Sequence, residues 1–197
     1  MILSAQNLSL QRGHRLLLQD FNLTLGPADG LAIRGANGSG KTTLLRALAG
    51  LHEPKEGTIT GNDNDEGPCQ ISFLGHQDPL KASEKLGDQL TFWAILAGQD
   101  TRAINNIAAD LGLTRQLGLQ GGVLSAGQRR RVSLARLLIE DRPIWLLDEP
   151  AAPLDREGRA LLGLILDQHR AKGGMFVAAV HDDLPGGETQ TIWLDRT

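Results

Sequence analysis

The chain has one cysteine, Cys69, and no tyrosine, and aromatic residues make up only 4% of its 197 residues. A lone thiol cannot close an internal disulfide, and the flanking EGPCQ offers no partner that would activate a nucleophile, so Cys69 reads as a passive residue of a reducing compartment. Positive charge is not in excess either: the formal net charge is −3, which gives bulk attraction to nucleic acid no support. Nucleic acid is therefore not an expected partner. No stretch reaches the ~20 apolar residues that a membrane-spanning helix needs. LLGLIL and FWAILAG are short enough to be core helix. The beginning, MILSAQNLSLQRG, lacks a basic start followed by a long apolar run and does not read as a signal peptide.

What is present is the composition of one compact unit, 41% apolar and 22% charged, with no internal repeat and no low-complexity tract. NLSL and FNLTL alternate as strands do, and GLAIRG is a strand feeding a Gly-rich loop. Residues 41–50, KTTLLRALAG, are expected to form a helix that Gly50 ends. GTITG reads as a short strand and QISFLG as a buried one. Over 78–122 strand signals give way to helical spacing, with Ile104, Ile107, Ala108 and Leu111 at offsets of three, four and seven. This segment is the expected helical subdomain. A helix begun at Ser125, the strand IWLLD, a helix over 156–170, the strand MFVAAVH and a last strand TIWLD follow. Strands alternating with helices predict a largely parallel sheet covered on both faces.

GANGSGKT, Gly35 to Thr42, matches G-x-x-x-x-G-K-[ST] and stands between a strand and a helix, the setting a phosphate-cradling loop requires. Gly35, Gly38 and Gly40 permit backbone approach that side chains would block; Asn37, Ser39 and Thr43 complete the loop. Lys41 is placed to reach the β and γ phosphates and Thr42 to give an oxygen to Mg²⁺. IWLLDEP is an apolar strand ending in acids: Asp148 would serve the metal and Glu149 would polarise an attacking water as general base.

LSAGQRRRVSLARLL, Leu124 to Leu138, has two readings. Ser125 with Gln128 three residues on makes a capping box, Val132, Ala135 and Ile139 make a core stripe, and Arg129, Arg130 and Arg131 would then be a solvated basic face. Alternatively, LSAGQ resembles the signature motif of the ATP-binding cassette (ABC) ATPases, in that family's order between the phosphate loop and the acidic strand. The resemblance covers nearly the whole chain. It implies an α/β P-loop NTPase fold with a mostly parallel core sheet, an antiparallel β subdomain and a small helical subdomain, with 1–77 and 123–197 as the nucleotide-binding core and 78–122 as the helical part. It also implies a head-to-tail homodimer in which Ser125, Gly127 and Gln128 of one cassette close over the nucleotide held by Lys41 of the other.

Further residues take roles through the same resemblance. Gln77 stands where the family has a glutamine that senses Mg²⁺ and water, Asp155 where it has an aspartate linking the two sites, and His181 where it has a histidine that contacts the γ-phosphate and orients Glu149. The expected catalytic set is Glu149, His181 and Gln77, and the expected Mg²⁺ set Thr42, Gln77 and Asp148. The family often stacks adenine on an aromatic residue ahead of the loop, and here LQRGHRLL offers Arg12 or His14 instead. The short chain, with no length for a C-terminal regulatory domain, and FLGHQDPLKASEKL resemble the ATP-binding subunits of haem exporters of cytochrome c maturation. Such a subunit is expected on the cytoplasmic face of the bacterial inner membrane. Its partner there is a multi-spanning CcmB-like subunit, and no haem binding of its own is expected. Haem export and ATP-driven release of a haem-loaded chaperone both stay open. So do the ATPase of another small-molecule or lipid exporter and, further off, a mechanical ATPase acting on nucleic acid.

Overall fold

The computed structural model describes residues 1–61 and 70–194, so Cys69 and Asp195, the end of TIWLD, lie outside the described residues. Strands β1 (Leu3–Arg12) and β2 (Arg15–Leu25) form an antiparallel hairpin, and β4 (Glu56–Thr60) pairs with the other edge of β1. The second sheet is parallel throughout, in the order β5 (Ile71–Leu74), β6 (Ile144–Asp148), β7 (Met175–Ala179), β3 (Gly30–Gly35), β8 (Gln190–Leu194). Among the described residues the α-helices are α1 (Lys41–Leu48), α2 (Leu86–Leu96), α3 (Ile104–Asp110), α4 (Ala126–Glu140) and α5 (Arg156–Ala171).

The parallel strands read as continuous apolar runs because both faces are covered. Alternate residues of β6 enter different cores: Ile144 and Leu146 join the one that contains α1, Trp145 and Leu147 the one that contains α4 and α5. In β7 the same division sends Met175 and Val177 one way and Phe176 and Ala178 the other. Strand β5, expected to be buried, is an edge strand with Ile71 and Phe73 only half-buried. Ile104, Ala108 and Leu111 are buried and Ile107 packs against them, as their spacing predicts.

Parallel strands all end on one side. The loops after β5, β6, β7 and β3 therefore gather at one edge, where open α/β sheets bind their ligands.

His169 of α5 stacks on Trp145 with ring centroids 3.7 Å apart and bonds the Met175 carbonyl at 3.1 Å. Burial pushes its pKa below the ordinary value; the carbonyls of Met175 and Pro143 and the charge of Asp141 oppose that, while Lys172 adds to it. A histidine whose folded pKa is depressed stabilises fully above its unfolded pKa, about 6.5, and loses that contribution as pH falls. Thermal melts from pH 7 to pH 5 should thus show falling stability, and His169→Phe, which keeps the stack but cannot be protonated, should show a shallower slope. An unchanged slope would remove His169 from the acid limb.

Candidate functional site

The loop from β3 into α1 is built on glycine because its turns and close approaches leave side chains no room. Gly35 has φ 138°, and a Cβ there would lie 2.3 Å from the Leu194 carbonyl oxygen. Gly40 caps α1 at φ 104°, in the left-handed region, and no side chain closes the helix start. The first N–H groups of α1 thus face the loop with the positive end of the helix dipole behind them, a ready anion site. Ser39 is buried and its hydroxyl has no partner among the described residues. Lys41, also buried, donates Nζ to the carbonyls of Gly35 at 2.7 Å and Ala36 at 3.3 Å. An open helix end, an orphaned hydroxyl and a buried ammonium suit a polyphosphate, which supplies acceptors for all three.

Thr42 Oγ1 donates to both carboxylate oxygens of Asp148, at 3.0 and 3.2 Å, across 106 positions of sequence. A hydroxyl and a carboxylate are hard oxygen donors of the type Mg²⁺ takes, with phosphate oxygens and water filling its octahedron. Among the described residues no group of three or more His, Cys, Asp or Glu could hold a metal unaided. A cation here would be held jointly with phosphate.

Glu149 follows Asp148 at φ 49°, a left-handed conformation that costs a non-glycine residue roughly 1–3 kcal/mol and persists where surroundings over-determine it. Its N–H bonds the Ala179 carbonyl at 3.0 Å, tying the turn to the end of β7. The carboxylate lies 3.2 Å from His181 Nε2, which is also 3.5 Å from Lys41 Nζ. Burial pushes the Glu149 carboxyl above the ordinary range, Asp148 and Asp182 add to it, and His181 and Lys41 pull it back. A base so tuned is more basic than an exposed carboxylate.

Lys41, Thr42, Glu149 and His181 line one cleft of about 660 Å³, with Asn37, Gly38, Thr43 and Asp148. Arg12, Arg15 and Leu17 of the β1–β2 hairpin line it as well. Of the two residues offered for base stacking, Arg12 reaches the cleft, whereas His14 sits in the hairpin turn and does not line it. Arg15, which no motif singles out, pairs across the hairpin with Arg12 and joins it there. Gln77 is exposed and lines an adjoining hollow of about 500 Å³ together with Thr42 and Asp148.

The signature residues lie apart from this cleft. Ser125 and Gln128 form the expected capping box: Ser125 Oγ accepts from the Gln128 N–H at 3.2 Å and Gln128 Oε1 accepts from the Ser125 N–H at 2.9 Å. The cap uses the hydroxyl only as an acceptor, so its proton remains available to an outside oxygen. Capping and contact with a phosphate are therefore compatible. Gly127 faces the Pro153 carbonyl, and Asp155 caps α5 by accepting from the Gly158 N–H at 2.8 Å, with Arg131 at 3.3 Å. That N–H and Arg131 lower the Asp155 pKa against slight burial.

One part of the plain capped-helix reading of this segment fails. Arg129, Arg130 and Arg131 do not form a solvated face: Arg130 is 2% exposed and its neighbours are half-buried. The reason is that α4 packs against β5, α2, α3 and α5 and leaves little of its circumference to water. Arg130 donates Nη2 to the carbonyls of Asp148 at 2.7 Å and Glu149 at 2.6 Å, Nε to Pro150 at 3.2 Å and Nη1 to Gly75 at 2.9 Å. Asp78 stands 3.6 Å from Nη1. Burial lowers the pKa of this guanidinium and the carboxylates of Asp78, Asp148 and Glu149 raise it. An arginine so buried would be strongly destabilising without such partners.

With this geometry in place, the likeness to known proteins is specific. The ABC transporter family model matches residues 18–152. The chain is 43% identical over 181 residues to the cytochrome c biogenesis ATP-binding export protein CcmA of Hyphomonas neptunium, covering 92% of this chain and 90% of that one. It is 40% identical over 195 residues to CcmA of Maricaulis maris, covering 98% and 91%. In structure it resembles an ABC transporter ATP-binding protein from Pyrococcus furiosus, with a TM-score of 0.83, 25% identity and 98% of each chain covered. A dimeric bacterial ABC transporter cassette shares the fold, with a TM-score of 0.86 at 23% identity over 98% of this chain and 94% of that one. By the family model and these end-to-end relatives the chain belongs to the ABC transporter family as an ATP-hydrolysing cassette of the CcmA type.

Proposed function

We propose that this cassette drives an exporter of cytochrome c biogenesis by hydrolysing Mg·ATP between two copies of itself bound to a membrane partner. The observation that carries the reading is the convergence of Lys41, the Thr42–Asp148 pair and the Glu149–His181 pair on one cleft, while Ser125 presents an uncommitted hydroxyl proton elsewhere. Lys41, the loop N–H groups and the Ser39 hydroxyl hold the phosphates; Arg12 and Arg15 offer guanidinium planes to the base. Thr42, Asp148 and Gln77 would hold Mg²⁺, which neutralises charge developing on the β and γ phosphoryl oxygens. Glu149 takes a proton from the attacking water and His181 holds the carboxylate in position. The water oxygen bonds the γ-phosphorus of ATP as the bond to the oxygen bridging the β-phosphate breaks, and ADP and inorganic phosphate leave.

That Ser125, Gly127 and Gln128 do not line the cleft that holds Lys41 supports their serving a second chain. In a head-to-tail homodimer Ser125 and Gly127 close over the partner's γ-phosphate, Gln128 fixes the Ser125 turn, and Asp155 joins the two sites. Residues 78–122 act as a helical subdomain on a core of 1–77 and 123–197. No helix among the described residues is long and apolar enough to cross a membrane. Attachment instead uses the hollow of about 430 Å³ between the segment after α1, β5, α2 and the end of α4, where Leu51, Phe92 and Leu96 are exposed. A CcmB-like multi-spanning subunit would seat there at the cytoplasmic face of a bacterial inner membrane. Haem, exported or released on its chaperone, would be handled by that partner, and nucleic acid has no part.

Native detergent extraction of the host's membranes, with the proteins that accompany the cassette identified by mass spectrometry, tests this reading. A multi-spanning CcmB-like companion is expected. A different membrane subunit would make it another exporter's ATPase, and recovery without a membrane protein or with DNA would overturn the assignment.

A further inference from the structure

Helix α4 starts at the signature residues and runs beneath both loops that complete the cleft. Arg130, one turn into it, spends four of the five N–H bonds of its guanidinium on carbonyl oxygens, three in the consecutive residues Asp148, Glu149 and Pro150 and one in Gly75. The three carbonyls belong to the turn that aims Glu149. Gly75 opens the loop that carries Gln77, and one residue past Gln77 the same loop is tied to α4 again, where Ser133 Oγ donates to Asp78 Oδ1 at 2.8 Å. Both flanks of Gln77 are thus fastened to the signature helix.

We propose that Arg130 is a positioning residue for ATP hydrolysis, clamping the backbone around Glu149 to the loop of Gln77 and so setting both from the position of the signature helix. It acts through these carbonyls, and the nucleotide cleft is not lined by it. A guanidinium suits the task because its planar fork reaches acceptors on opposite sides at fixed angles, which a point-charge ammonium cannot. The bonds to Pro150 and Asp148 are buried, so no water replaces one of them that breaks, and a shift of the first turn of α4 carries the carbonyls with it. Whatever Ser125 contacts is thereby felt by the chain's own Glu149. The inference rests on the reading of Glu149 as general base.

The test compares Arg130→Gln and Arg130→Lys with Glu149→Gln in the assembled membrane complex. Arg130→Gln is expected to lower kcat about tenfold or more, as small misplacements of a reacting group do. KM and the affinity for a non-hydrolysable ATP analogue should stay within about twofold, while the melting temperature falls, because carbonyls that the guanidinium satisfied are left buried and unpaired. Arg130→Lys recovers part of the rate and decides by the same split should the glutamine variant not fold. Arg130→Gln with kcat within about twofold of wild type overturns the proposal, as does joint loss of kcat and nucleotide affinity, the mark of a purely structural arginine. Inactivity of Glu149→Gln beside an active Arg130→Gln leaves the site reading standing; activity of Glu149→Gln removes that reading and this proposal with it.

Discussion

Glu149→Gln should bind ATP as tightly as the wild type and hydrolyse it roughly 10² to 10⁴ times more slowly, the range expected when a general base is lost. The substitution keeps the volume and leaves the N–H that bonds Ala179 untouched, so the left-handed turn has no reason to relax. What changes is that an amide cannot take a proton from water. Burial has raised the carboxyl's pKa, and a base must be ionised to act, so wild-type activity should fall on acidification at a higher pH than an exposed carboxylate would give. Single-turnover phosphate release measures the rate, and binding of ATP itself, now slow to turn over, measures affinity. A variant within about threefold of wild type would move the base elsewhere, since a residue taking the proton in the transition state cannot be lost so cheaply.

Much of this site was legible because its parts are local. The phosphate loop needs glycine where φ is positive and lysine at the helix start, and those requirements sit within eight residues. Strands β6 and β7 were legible as unbroken apolar runs because every residue in each is buried. Ser125 and Gln128 announced their cap at a spacing of three. Arg130 was not legible. A helical wheel assigns one face to the core, but α4 is covered on most sides, and the acceptors of its arginine come from the ends of β5 and β6, which nothing in RRR reveals. Arg15 left a fainter trace: the pair Gly13-His14 between two arginines reads as a two-residue hairpin turn, which makes Arg12 and Arg15 neighbours across the strands. Only their place among the residues that line a cleft built at the ends of β3, β6 and β7 gives that pairing a use.

Ser125→Arg should abolish hydrolysis in the assembled complex while each cassette still binds ATP at its own loop. Loss of the cap costs about 1 kcal/mol, too little to unfold a domain, and the signature residues do not line the cleft that holds Lys41. An inactive complex therefore has to be explained across two chains, and mixed dimers do this quantitatively. Pair a cassette carrying Lys41→Ala with one carrying Ser125→Arg. If sites are shared head to tail, both defects fall in one site, and the other retains an intact loop and an intact signature. Place both substitutions in one cassette opposite a wild-type partner, and each site receives one defect. The first arrangement should keep measurable single-site turnover and the second none. If instead each chain serves its own nucleotide, the order reverses: the doubly substituted cassette leaves its partner whole and active, and the separated pair is dead. Because both dimers carry the same two substitutions, differences in stability between the variants cannot produce opposite rankings, and only the sharing of sites between chains can.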